Sequence, residues 1–321
     1  MLFEALRDGR VTMDTKFLVS EKATKLGGST MFLRTGERVS VRDLIQGIIV
    51  QSGNDACITV AENLSGTEDA FAEQMTTRAI QMGMTSSTFG NSTGWPHPKQ
   101  RMSARDLVFL ANYIITNFPE YYPYFSQRSF TWDGVKQSNR NPLLTLGIGA
   151  DGLKTGHTNE AGYGLVGSAK QGNRRIIFMI TGLESKSARA SEAEKLTNWA
   201  FRQFVSKELF KKGTQIADAQ VWLGREKTVG LVAENDISGL FPLGSLKDVT
   251  LEVTYLGPLE APIAAGTKVA TLTVTAPNME TTEHNLVAQN DVAKGSIVTR
   301  VLASAELLSN DLMGGKLWSS N

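Results

Sequence analysis

One cysteine, Cys57, is all that 321 residues contain. That excludes an internal disulfide framework and a cysteine-built zinc site. Histidine is nearly as scarce. His97, His157 and His284 lie far apart, with no metal-ligand spacing between them, so neither a metal nor a cofactor is expected. No sign of charge dominates: 33 Lys and Arg stand against 32 Asp and Glu, a net charge of +1. Without a basic field there is nothing to collect phosphates, so nucleic acid is not an expected partner. No run approaches the ~18–20 apolar residues of a membrane-spanning helix. The opening ten residues, Met1 to Arg10, mix charged and apolar types. They lack the basic-then-apolar order of a signal peptide, and a chain read literally from Met1 stays in the cytoplasm. There are no internal repeats and no low-complexity segments. What is present is ordinary globular composition, 41% hydrophobic and 20% charged, enough for one large domain or two smaller ones.

The first two-thirds reads as helix-rich. Leu2–Leu6 is expected to end a helix that stops near Gly9. Ser40 caps the next, with Leu44, Ile45, Ile48 and Ile49 as its apolar stripe. Further helices are expected over Ala56–Leu64, after Thr67 (Phe71, Met75, Ala79 and Met82 on one face) and after Ser103. Ser191 is expected to cap a last long helix carrying Leu196, Trp199, Ala200 and Phe204. Strands are expected at Gly152–Thr155, Gly162–Ala169 and Arg175–Gly182, the last two joined through Gln171-Gly172-Asn173. From about Lys212 the texture changes to short strand-like runs between Gly, Pro and Asn breaks: Gln220–Trp222, Thr228–Val232, Val249–Tyr255, Lys268–Val274 and Asn285–Gln289. The expected division is therefore 1–212 as an antiparallel sheet with helices packed on it, 213–296 as a small all-β domain, and 297–321 as a tail with a weak helical stripe.

Two tripeptides carry chemistry. Ser52-Gly53-Asn54 follows the Leu44–Val50 helix, and Lys154-Thr155-Gly156 opens a strand. Each alone has a plain structural reading: an interhelix turn whose Ser or Asn caps the next helix, and an exposed strand start. Their order, separation and flanking residues point elsewhere. S-x-x-K, S-D-N and K-T-G together mark serine β-lactamases and penicillin-binding proteins. Ile49-Val50-Gln51-Ser52-Gly53-Asn54-Asp55-Ala56-Cys57, Asp151-Gly152-Leu153-Lys154-Thr155-Gly156-His157-Thr158 and Ala161-Gly162-Tyr163-Gly164-Leu165-Val166 resemble the D-alanyl-D-alanine carboxypeptidases, penicillin-binding serine peptidases with S-G-N in the middle place. The likeness runs over essentially the whole chain, including the C-terminal β region.

The resemblance implies an α+β, β-lactamase-like transpeptidase domain followed by a small all-β domain. It implies an acyl-enzyme peptidase acting on peptidoglycan stem peptides and acylated by β-lactams. In that family a serine attacks the amide between two D-alanines and a lysine one turn later helps remove its proton. By resemblance Ser52 would relay a proton to the leaving amine, Asn54 would orient that lysine and hold the substrate backbone, and Lys154 would supply positive charge. Thr155 would bond the substrate carboxylate, the strand through Gly156 and His157 would run beside the substrate, and the His157 backbone N–H would serve as an oxyanion donor. Arg189, ahead of the Ser191 helix, would face the terminal carboxylate, to which a guanidinium can make two bonds; a solvated arginine near a helix start is the plainer alternative. Cys57 is expected to pack as a small apolar residue and His97 to sit in a loop. Members act in the periplasm or at the outer face of the inner membrane, often held by a C-terminal amphipathic helix. Here the tail carries only Arg300 and Lys316 as cations, thin for such an anchor.

One departure matters. No serine or threonine of the 321 residues has a lysine three places on. The family places that motif upstream of S-G-N, ahead of a helix resembling Leu2–Gly9, so the nucleophile and the first sheet strands are expected to fall before Met1. As written, the chain is expected to be inactive, with a sheet edge left unpaired. Two other functions compete: a non-catalytic peptidoglycan-binding protein, and a class A-like β-lactamase. Against the latter stand S-G-N in place of S-D-N and the added β domain.

Overall fold

A computed structural model describes residues 1–296; the tail helix expected over 297–321 lies outside the described residues. The chain divides into two compact units, the first Met1–Phe201, the second from Arg202 onward. The first mixes helices and sheets and the second is all-β, the α+β class expected from the sequence.

In the first unit, α1 (Leu2–Arg7) ends against Gly9, whose φ of +71° costs glycine little. Strands β1 (Lys16–Leu18) and β2 (Arg38–Ser40) pair antiparallel and flank α2 (Glu21–Lys25). The Ser40 hydroxyl accepts the Asp43 N–H at 3.1 Å and starts α3 (Val41–Gln46), which buries Val41, Leu44 and Ile45. The expected stripe through Ile48 and Ile49 continues, but as a π-turn over Gly47–Gln51. After it come α4 (Asn54–Ser65), α5 (Glu68–Met82, capped by Thr67) and α6 (Ala104–Asn117, capped by Ser103). Two short strands that the sequence reading missed, β3 (Ser129–Trp132) and β4 (Val135–Ser138), form a hairpin.

Strands β5 (Ala150–Thr158), β6 (Gly162–Gln171) and β7 (Arg174–Leu183) form an antiparallel sheet in that order. Each is longer than expected by a few residues, because cross-strand pairing extends into polar ends that period-2 patterning does not mark. Among the described residues no strand pairs with the outer edge of β5 or of β7. The last helix, α7 (Lys186–Gln203), corrects the expected start at Ser191. Ser185 is the capping side chain, its hydroxyl accepting the Ala188 N–H at 3.0 Å. Alanines 188 and 190 favour helix, so the first turn forms before Ser191, and Arg189 lies inside the helix rather than ahead of it. Trp199 is 52% exposed and Phe204 begins a strand, but Leu196 packs inward as expected, beside the buried Ala193 and Thr197. The main core gathers Phe17, Leu44, Ile49, Ile58 and Phe125 among others; a smaller one joins Leu143, Leu165, Phe178 and Ala193 under α7.

The second unit holds a six-stranded sheet over Gln215–Trp222, Thr228–Ala233, Thr250–Thr254, Leu259–Glu260, Lys268–Thr275 and Thr282–Ala288. A separate two-stranded antiparallel sheet pairs Phe204–Phe210 with Ile237–Pro242. Leu231, Ile237, Leu272 and Leu286 are its most enclosed side chains. The two-stranded sheet and Leu259–Glu260 were not legible as strands; the five runs that were all lie in the large sheet.

Candidate active site

The π-turn after α3 ends on Ser52, whose φ of 60° and ψ of 35° are left-handed. A non-glycine residue holds that conformation only when its surroundings over-determine it, and such outliers gather at functional sites. Here the Ser52 backbone N–H donates to the Gly47 carbonyl and the Gly53 N–H does the same at 3.0 Å. Neither Ser52 nor Asn54 caps α4; the cap position is Gly53, without a side-chain bond. The plain reading of the tripeptide as a capping turn is therefore not realised. Both polar side chains remain available to the space between α4 and β5.

Asn54 is buried, its backbone N–H donating to the Ser29 carbonyl (2.8 Å) and its Nδ2 to the Gly27 carbonyl (3.0 Å). The strap of residues 27–33 that supplies those carbonyls is itself clamped by Asp55. That buried carboxylate accepts the N–H groups of Met31 (2.9 and 3.0 Å), Leu33 (3.1 Å) and Ala56 (2.9 Å). Gly28 permits the arrangement. Its φ is +84°, and a Cβ there would stand 3.0 Å from Asn54 Nδ2 and 3.2 Å from the Trp95 ring.

Lys154 comes from β5, 102 residues away in sequence, and its Nζ donates to Ser52 Oγ at 2.5 Å and to the Thr155 carbonyl at 3.1 Å. Its pKa falls to about 8, first because the ammonium is desolvated, then because Arg140 and Arg189 are like-charged neighbours. A charged Cys57 would oppose this fall, but burial pushes its thiol up to about 12, so at neutral pH it carries no charge. Thr155 is half-buried, while Gly156 and His157 are exposed along the open edge of β5. Nothing would lie within 4 Å of a Cβ at Gly156, so space rather than glycine geometry marks that position. The His157 ring lies against Tyr163, its cross-strand partner, with centroids 4.0 Å apart.

Arg189 is only 6% exposed. Burial lowers its pKa, and nearby Arg140 adds to that. Its Nη2 reaches the Arg140 carbonyl at 3.5 Å and its guanidinium lies 5.7 Å from the Tyr163 ring centroid. The plainer alternative, a solvated arginine, does not fit this burial. Arg140 was not picked out in the sequence. Its own pKa is lowered by burial, and its Nη1 bonds Ser29 Oγ. The fold thus brings Ser52, Asn54, Lys154 and Arg189 to one region with Arg140, while Thr155, Gly156 and His157 line the adjoining strand edge.

Behind β5, Asp151 is held by Arg175 through both carboxylate oxygens (2.8 and 2.7 Å) and by the Tyr122 hydroxyl (2.8 Å). Asn141 Nδ2 donates to the Gly152 carbonyl at 2.9 Å. These bonds fix the strand three residues before Lys154. Among the described residues no group of three or more His, Cys, Asp or Glu could hold a metal ion, and no helix is long and apolar enough to cross a membrane.

Comparison with known proteins identifies the family. Residues 1–185 match the D-alanyl-D-alanine carboxypeptidase family, and residues 204–294 match the C-terminal domain of penicillin-binding protein 5. The chain is 35% identical to DacD of Escherichia coli (strain K12) over 92% of its own length and 76% of the relative's. It is 32% identical to DacF of Bacillus subtilis (strain 168) over 93% and 78%. The solved structure of penicillin-binding protein 5 from Haemophilus influenzae is similar at 34% identity and a TM-score of 0.78, covering 91% of this chain and 87% of that one. That of DacD from Francisella tularensis gives 29% identity and a TM-score of 0.80, over 92% and 85%. The chain belongs to the D-alanyl-D-alanine carboxypeptidases, penicillin-binding serine hydrolases of the peptidoglycan cell wall, and carries their C-terminal β domain.

Proposed function

We propose that this chain supplies the substrate-gripping and proton-relay groups of a serine-type carboxypeptidase that removes the terminal D-alanine from peptidoglycan pentapeptides. The observation that carries the reading is the 2.5 Å contact between Lys154 Nζ and Ser52 Oγ, which joins the two motifs in one place. In the reaction a serine oxygen attacks the carbonyl between the two D-alanines, forming an ester and releasing the D-alanine amine. Water then hydrolyses the ester, yielding the shortened peptide's carboxylate and the free serine. Ser52, whose Oγ accepts from Lys154 Nζ, relays the proton that the leaving amine takes up. Asn54, held by the strap, faces the peptide backbone. Lys154 and Arg189 stabilise the substrate's terminal carboxylate with Thr155, while the open edge at Gly156 and His157 runs beside the peptide, the His157 N–H aimed at the developing oxyanion. The compartment suited to this substrate is the periplasm, at the outer face of the inner membrane.

The 321 residues hold no serine with lysine three places on, and we infer that a polypeptide of these residues alone forms no acyl-enzyme with penicillin. A second reading is a non-catalytic peptidoglycan-binding protein. Labelling with a fluorescent penicillin separates them, comparing this polypeptide with a form extended in frame upstream of Met1. Label on the extended form alone supports the carboxypeptidase. Label on neither favours the binding protein, and label on the 321-residue polypeptide refutes the claim that it lacks a nucleophile.

A further inference from the structure

A buried cation ordinarily has a buried anion beside it, because an uncompensated charge in a dry environment is costly. Arg189 is an exception. It is 6% exposed, its Nε has no hydrogen-bond partner, and none of the ion pairs among the described residues includes it. Among the described residues its one polar side-chain contact is the long 3.5 Å bond to the Arg140 carbonyl. What lies against the guanidinium is an aromatic face, Tyr163, at 5.7 Å from the ring centroid. The same ring packs on His157 at 4.0 Å. Tyr163 is thus in contact with two residues from two other elements, His157 of β5 and Arg189 of α7, and stands between the strand edge and the charge.

We propose that Tyr163 is a positioning residue, its ring face holding the Arg189 guanidinium in place and leaving its charge unneutralised for the carboxylate of an incoming D-alanyl-D-alanine end. The proposal rests on the carboxypeptidase reading of the site. The physical reason for an aromatic ring here is that its quadrupole attracts a cation without itself carrying charge. An aspartate or glutamate in its place would hold Arg189 more firmly and would also cancel it, leaving nothing for the ligand. The ring supplies part of the compensation in the empty site, and the substrate carboxylate supplies the rest.

The test uses this chain with Tyr163→Phe, which keeps the ring face, and Tyr163→Leu, which removes it. Without ligand, the Nε–H resonance of Arg189, assigned by its loss in Arg189→Lys, is followed by proton–nitrogen NMR. It is expected to carry a ring-current shift in the wild type and in the Phe variant, and to lose that shift in the Leu variant. An unchanged resonance in the Leu variant would overturn the proposal, and so would a Phe variant behaving like Leu. In the second arm, diacetyl-L-lysyl-D-alanyl-D-alanine and its C-terminal carboxamide are titrated against each protein. The preference for the free carboxylate is expected to fall about tenfold in the Leu variant, equivalent to ~1.4 kcal/mol, and to persist in Phe. A full preference in the Leu variant would overturn the role. If the wild type shows no preference while the resonance behaves as expected, the carboxypeptidase reading fails and the carboxylate role falls with it, but Tyr163 is still shown to hold the guanidinium.

Discussion

Replacing Lys154 with methionine should make the first unit more stable while abolishing its affinity for a carboxylate-ended peptide. The side chains are similar in length, so the perturbation is mainly electrostatic. In the folded chain the ammonium is held at about 8 instead of its ordinary 10.5, by desolvation and by Arg140 and Arg189. At ~1.4 kcal/mol for each pKa unit, keeping it charged at neutral pH costs about 3 kcal/mol. Against that stand its bonds to Ser52 and the Thr155 carbonyl, each worth ~1 kcal/mol at most when water can replace the lost partner. The net gain is about 1–2 kcal/mol, or a rise in melting temperature of roughly 3–6 °C for a unit of this size. The pH dependence is distinctive. Between pH 8 and 10.5 the folded lysine has lost its proton and the unfolded lysine has not, so wild-type stability climbs with pH in that window. The variant's advantage should be full below pH 8 and gone above about pH 10.5. Urea titrations of both proteins at pH 7 and pH 10 measure this directly. A Lys154→Met protein less stable than wild type at pH 7, or an advantage that does not shrink with pH, would refute the electrostatic account.

Two further perturbations probe the supports of the site. Asp151→Asn breaks the paired bonds to Arg175 and weakens the one from Tyr122, and because these groups are partly buried the loss should be about 2–3 kcal/mol in urea unfolding; a loss under 0.5 kcal/mol would mean that the anchor behind β5 is held by other contacts. Gly28→Ala asks a side chain to occupy left-handed backbone between Asn54 and Trp95, which should cost about 1–2 kcal/mol. It should also speed amide exchange at Met31 and Leu33 as the strap lifts; unchanged exchange there would show that Asp55 alone fixes the strap.

Much of this was legible because chemistry at the site depends on short contiguous motifs. Ser52, Asn54 and Lys154 could be picked out from their immediate neighbours, and the fold brings them together. The caps at Ser40, Thr67 and Ser103 were likewise local signals, each a side chain three residues from the N–H it accepts. The failures have local causes too. Ser185 and Ser191 are both plausible caps, and the helix-favouring Ala188 and Ala190 between them decide in favour of the earlier one. The hairpin of Ser129–Trp132 with Val135–Ser138 escaped because its burial pattern barely alternates. Arg140 and Tyr163 were invisible for another reason. An arginine or a tyrosine has no local pattern that reports a neighbour 49 or 26 residues away, as Arg189 is to each of them.

The arrangement those two residues complete explains why the site should be marginal in stability. Arg140 lowers the pKa of both Lys154 and Arg189, Arg189 also lowers that of Lys154, and no ion pair among the described residues neutralises any of the three. Each has its pKa lowered by burial, so each favours losing its charge or gaining an anion. Acids are not lacking in this unit: Asp55 and Asp151 are both nearby in sequence. Yet Asp55 is spent on backbone N–H groups of the strap and Asp151 on Arg175. Each acid holds up the scaffold instead of quenching the site, and the repulsion that remains is the part of the folding energy a bound carboxylate would recover. A ligand carrying one negative charge should therefore raise the melting temperature of this unit more than its contact area alone would suggest, and more at pH 7 than at pH 9, where Lys154 has largely lost its proton.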